Sequence, residues 1–213
     1  MEEQEQIKIR QDAEDESMQT DRDAEEYLLH FNLNPEDLKG KKILDLGSST
    51  FENFADYANQ QGAEVFSVNP RLRYKHYRTN LQTTERNHGK VIAARAQQIP
   101  FANESFDLVL SHWCIPNWMP KQNGEIIEEE AEIILQEICR VAKHGGKIIF
   151  YPIRFNPDYF LYPKGYKGYR DIYDIIAKNN FGRKAANWLR EQQNLSVSTE
   201  QVPDGTSLTI TKQ

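Results

Sequence analysis

The chain has 213 residues, 38% of them apolar and 27% charged, with a formal net charge of −6, which is long enough for one substantial core. Eleven Asp and Glu against three Lys and Arg give residues 1–26 a net of −8, leaving 27–213 at +2. The body is therefore nearly neutral and makes no general electrostatic case for nucleic acid or a membrane surface.

Residues 1–20 are charged, Gln-rich and poor in aromatics, which predicts a disordered acidic arm. They lack the basic and apolar regions of a signal peptide, and no apolar run nears the roughly 18 residues of a membrane span, so a cytoplasmic protein is expected. Residues 21–213 are expected to form a single domain. It opens with a helix carrying Tyr27, Leu28 and Phe31 on one face behind an acidic first turn. Asn34-Pro35 and Gly40 bound a linker. Strands are predicted at 42–46, 64–68, 91–94, 106–110 and 147–151. Between them, a helix is predicted from Phe51 to Gln61, with Gly62 as its C-cap. A longer one is predicted from Glu125 to Lys143, with Ile126, Ile127, Ile133, Ile134, Ile138 and Val141 buried and His144-Gly145-Gly146 ending it. Residues 171–192 read as helical with a break near Asn180-Phe181-Gly182, and 195–211 as a terminal hairpin around Pro203-Asp204-Gly205. Strands alternating with helices predict an α/β doubly wound, Rossmann-like sheet of about seven strands, mostly parallel, with one antiparallel C-terminal strand.

The stretch KKILDLGSSTFENF at 41–54 organises the rest. An apolar strand ends in small residues, and a helix follows. Such a turn aims backbone N–H groups and a positive helix end above the sheet edge, and its small residues let a ligand approach the backbone. Asp45 adds a polar group near the same crevice. Cys114 and Cys139 have neither CxxC nor Cys/His ligand spacing, which predicts reduced core thiols and no metal.

Four segments in order, ILDLGSS at 43–49, VFSVNP at 65–70, ARAQQIPFANESFDLVLS at 94–111 and EICRVAKHGGKIIF at 137–150, resemble the class I S-adenosylmethionine-dependent methyltransferases, in the generic methyltransferase-domain group. The resemblance implies S-adenosylmethionine as cofactor, held by Asp45, Gly47, Ser48, Ser49, Asn69, Pro70, Arg95, Ala96, Gln97, Ser111 and His112. Three positions depart from the family pattern. Phe51 stands where a loop glycine is usual. Asn69 stands where an acidic residue grips the ribose, and Arg95 where an acidic residue lies near the adenine. An Asn amide still accepts and donates one bond, but the lost charge is worth about 1 kcal/mol. The expectation is cofactor binding in roughly the 10–500 μM range, tightened by Asn69→Asp.

Methyl transfer needs in-line positioning, and needs a base only where the acceptor must lose a proton. His112 is the candidate base at the end of the fourth strand; the alternative is a polar residue touching a helix end. Trp113 and Trp118 are pocket walls or core. The segment RLRYKHYR at 71–78 reads as a phosphate or single-strand nucleic-acid contact or as a solvated helix face. The Tyr-rich insert at 154–170 reads as a lid or a docked loop. The function expected is methyl transfer to an acceptor, most simply a small molecule. The alternatives are a methyltransferase-like binding module that has lost the cofactor, and a nucleic-acid methyltransferase.

Overall fold

The computed structural model describes residues 23–48, 52–70, 90–153, 172–177 and 181–213. The acidic arm, the basic stretch at 71–78, the insert at 154–170, Ser49 and Phe51 lie outside the described residues. The strands are β1 (Lys42–Leu46), β2 (Glu64–Val68), β3 (Val91–Ile92), β4 (Phe106–His112), β5 (Lys121–Gln122), β6 (Glu125–Ile126), β7 (Ala142–Tyr151), β8 (Leu195–Val202) and β9 (Gly205–Lys212). The helices are α1 (Ala24–His30), α2 (Pro35–Leu38), α3 (Asn53–Gln60), α4 (Glu128–Val141), α5 (Ile172–Ile176) and α6 (Gly182–Glu191).

One seven-stranded sheet runs β3-β2-β1-β4-β7-β9-β8, with β5 and β6 forming a separate pair. The pairings from β3 through β7 are parallel, and those of β9 with β7 and of β8 with β9 are antiparallel. The motif strand β1 is interior, between β2 and β4. Two antiparallel strands join the sheet where the sequence suggested one, because the whole terminal hairpin adds to β7 through β9.

Strand alternation sorts the core into two layers. Leu44, Leu46, Val68, Ile148 and Phe150 pack with α4 and α6. Ile43, Val65, Leu108, Leu110, Ile149 and Tyr151 pack with α1, α2 and α3. Leu44, Leu110, Ile148 and Phe150 are fully buried, each worth about 1.5–3 kcal/mol of transfer free energy. Asp23 caps α1 by accepting from Glu26 N at 2.8 Å, with Glu25 and Glu26 in the first turn, where the helix dipole favours them.

The long helix is shorter than the sequence suggested, spanning 128–141 rather than 125–143. At its start, Lys121–Gln122 and Glu125–Ile126 pair around Asn123 and Gly124, at φ 53° and 85°; this is the Asn-Gly hairpin preference. At its end, Lys143 Nζ donates to both carboxylate oxygens of Asp107 at 2.9 Å, and the chain already belongs to β7. Gly145, at φ 76°, lies within a bulge of that strand, between the Phe106–Ala142 and Leu108–Lys147 pairs. Ile133, expected in the buried face, is 47% exposed, because it lies off the stripe formed by Ala131, Ile134, Leu135 and Ile138.

Candidate active site

β1 and β2 end side by side, and Gly47 N continues their ladder by donating to Val68 O at 2.8 Å. Gly47 then turns the chain at φ 79°, a conformation that glycine adopts without strain. Above this turn, at the carboxyl ends of the parallel strands, lies a cavity of about 420 Å³, within the usual size range of ligand sites. Gly47 and Pro70 form one wall, Arg95, Ala96 and Gln97 another, and Cys114, Ile115 and Trp118 a third. From α4, Ile134 supplies an apolar floor and Glu130 a carboxylate. Gln97 Nε2 donates to Glu130 Oε2 at 3.0 Å, linking two walls. The cavity shares Pro70, Ala94, Arg95, Gln97 and Glu130 with a wider groove of about 1040 Å³.

Arg140 braces the segment that carries the second wall. Its guanidinium donates to both carboxylate oxygens of Glu137 at 2.7 Å, to Ile99 O at 3.0 Å and to Phe101 O at 2.8 Å. Ile99 N returns a bond to Glu137 Oε1 at 2.8 Å. This fork geometry fits Arg and not Lys.

The expected cofactor residues divide into those that line the cavity and those that do not. Gly47, Pro70, Arg95, Ala96 and Gln97 come together on the cavity. Asp45 is one residue off Leu44 and Leu46 and so faces the other layer, where it is 2% exposed and accepts from Tyr27 Oη at 3.1 Å. Asn69 does not line the cavity; its Nδ2 donates to Ser48 O at 2.9 Å. Ser111 is buried; its Oγ accepts from Ile115 N at 2.8 Å, bracing the turn after β4. His112 is fully buried among α1 side chains, its Nε2 2.8 Å from His30 Nδ1, with the Tyr27 and Tyr151 rings against it. It does not line the cavity. Burial pushes the His30 imidazole down, against Glu26 and Asp204, which pull it up.

Trp113 packs edge-on to Tyr151, at φ 55°, whereas Trp118 stands at the cavity rim, 63% exposed. Both cysteines are free. Burial pushes the Cys139 thiol up to about 12, as befits an inert core group. Cys114 lies so close to Gly47 that any Cβ there would overlap it. Among the described residues no group of three or more His, Cys, Asp or Glu is placed to hold a metal ion, and no helix is long and apolar enough to cross a membrane.

Sequence reasoning missed Tyr27 and His30 as partners of Asp45 and His112, and missed Glu52 and Glu130 altogether. Tyr27 carried only an apolar-face signal. Glu130 had a usable one, four residues before the buried Ile134 on the same helix face.

The sequence profile of the family described as methyltransferase domain matches residues 44–150, half of the chain. The chain belongs to this family, among the class I S-adenosylmethionine-dependent methyltransferases. Many solved structures share its fold. A protein of Pyrococcus horikoshii is 20% identical, with a TM-score of 0.54 and 82% of each chain covered. A protein of Methanococcus maripaludis, proposed to be an S-adenosylmethionine-dependent methyltransferase, is 17% identical, with a TM-score of 0.53 and 89% of this chain and 83% of that one covered. No curated protein matches the chain by sequence.

Proposed function

We propose that the chain binds S-adenosylmethionine in the 420 Å³ cavity and transfers its methyl group to a small-molecule acceptor. The observation that carries this reading is the turn at Gly47. It brings backbone to the cavity wall at φ 79°, a conformation glycine adopts without strain, while Cys114 packs on the side where a Cβ would stand. Pro70 and the Arg95–Gln97 wall would hold the nucleoside end, with the Arg95 guanidinium available to stack on the adenine. Asp45, Ser48, Asn69 and Ser111 shape the turn from behind. When bound, the cofactor supplies an electrophilic methyl on a sulfonium, which leaves as a neutral thioether. The chain's part is orientation and exclusion of water. His112 serves as packing support beneath the end of β4, since its ring is enclosed by Tyr27, His30 and Tyr151. We place the catalytic unit at 21–213, with 1–20 dispensable to it.

The test is calorimetric titration of the full chain with S-adenosylmethionine, expected to give a Kd of roughly 10–500 μM. No heat and no thermal shift at millimolar cofactor would overturn the reading. A module that has lost the cofactor would then take its place, a reading favoured by the Cys114 side chain pressed onto Gly47 and the Asn69 amide spent on Ser48.

A further inference from the structure

One buried carboxyl stands beside the turn without any part in the reaction just proposed. Glu52 precedes α3 at φ 53° and is 3% exposed. A left-handed conformation disfavours a residue with a Cβ, and burial of a carboxylate costs considerably more. Both costs fall on one residue next to the cofactor turn.

Its contacts show what the residue holds. Ser67 Oγ donates to Glu52 Oε2, and Ser67 is the β2 residue paired with Asp45 of β1. Two residues beyond Ser67, just past the end of β2, Asn69 Nδ2 donates to Ser48 O. The chain following β1 is thus tied to the end of β2 on both sides, from Ser48 through Asn69 and from Glu52 through Ser67. By strand alternation Ser67 lies on the face of β2 opposite the Val68 side chain that meets the cavity.

The charge at this junction matters because Asn69 is neutral. Glu52 brings a carboxyl to the same place from the other end of the turn. The groups facing it are Asp56 on its own helix, which raises its pKa, and the Ser67 and Ser48 hydroxyls from β2 and the turn, which lower it. Burial outweighs them all and pushes the carboxyl up to about 7. It therefore changes charge in the neutral range.

We infer that Glu52 is a positioning residue for the cofactor turn: held by Ser67 beside Ser48, its ionised carboxylate supplies the negative charge that Asn69 lacks, and so favours the cationic sulfonium cofactor over the thioether product. This rests on the cofactor site proposed above. The sulfonium carries a positive charge that the product, S-adenosylhomocysteine, has lost, so a fixed negative charge nearby separates the two by Coulomb attraction.

The experiment is calorimetric titration of the full chain with S-adenosylmethionine and with S-adenosylhomocysteine, from pH 5.5 to 8.5, on the unaltered protein and Glu52→Gln. In the unaltered protein the cofactor should bind about five- to tenfold more tightly as pH rises through neutrality, and the product should change less. The free cofactor's amino group titrates identically whichever protein it meets, so the difference between the two profiles reports the charge at Glu52. That difference should vanish at low pH. Ser67→Ala, which removes a donor to the carboxylate, should move the midpoint to higher pH even if Glu52→Gln folds poorly. Parallel profiles, with Ser67→Ala leaving the midpoint in place, overturn the role of Glu52 while the cofactor site stands. Absence of binding by the unaltered protein at every pH overturns both.

Discussion

The phenol of Tyr27 donates to Oδ2 of Asp45 at 3.1 Å across eighteen residues of chain, and both side chains are buried. The motif aspartate thus faces α1, and α1 is part of the site's construction. The same helix sends His30 to His112, at the end of the neighbouring strand. Tyr27 also stacks on Phe54 of α3, ring centroids 4.5 Å apart. Two strand ends and two helices are therefore joined through one aromatic side chain.

Tyr27→Phe keeps the stack and removes the hydroxyl. A buried carboxylate that loses a donor costs about 1–3 kcal/mol. Urea denaturation of the variant should show a loss of that size with the slope unchanged. A change below about 0.5 kcal/mol would mean that the bond contributes little.

Gly47→Ala meets two obstacles. The φ of 79° disfavours a side chain, typically by about 1–2 kcal/mol, and the new Cβ would overlap Cys114. The variant should lose both stability and cofactor binding. Cys114→Gly in the same chain should recover the steric part and leave the conformational part, so the two substitutions should be non-additive in a double-mutant cycle. Strict additivity would show that the two residues do not press on one another.

The sequence made the frame of the site legible and its orientation only partly so. Apolar runs bounded by turn residues marked β1 and β2 to the residue, because both strands are buried and end at sharp changes of composition. The Gly47 turn, Pro70 and the Arg95–Gln97 wall followed from the family resemblance and do meet on one cavity. Asp45 and His112 were assigned to the same crevice, yet Asp45 lies one residue out of phase with the cavity-lining Leu46, and His112 is enclosed by Tyr27, His30 and Tyr151. Period-two alternation from Leu44 and Leu46 already puts Asp45 on the opposite face. The partner on that face, Tyr27, depends on how α1 docks, which no local pattern encodes. Glu52 escaped notice because a lone Glu after a glycine turn ordinarily reads as solvated helix start.

Glu52 also sets a pH dependence of stability. Its carboxyl titrates near 4.5 when unfolded and is pushed up to about 7 when folded, chiefly by burial. Between these values the folded state binds more protons than the unfolded one, so this group's contribution falls as pH rises from 4.5 to 7 and is flat above. The full difference is about 3 kcal/mol. Glu52→Gln cannot ionise. It should be more stable than the unaltered protein at pH 8, with the advantage shrinking toward pH 5. Thermal midpoints of the two proteins across that range check this, and an advantage constant with pH would show that Glu52 is not the titrating group.

Asn69→Asp tests the turn from its other side. From sequence, restoring the acidic residue was expected to tighten cofactor binding by adding a charged acceptor. The geometry reverses that expectation. Asn69 Nδ2 donates to Ser48 O at 2.9 Å, and a carboxylate oxygen in its place would face the carbonyl oxygen with no proton between them. The lost bond and the unpaired acceptor together should cost about 1–3 kcal/mol of stability. The new charge would also lie at the junction that holds Glu52, and like charges raise each other's pKa. The variant should therefore be destabilised, its loss should grow with pH, and its S-adenosylmethionine affinity should be no better than that of the unaltered protein. Calorimetry and denaturation at pH 6 and pH 8 measure both. Tighter cofactor binding at unchanged stability would show that the Asn69 side chain leaves Ser48 to reach the ligand.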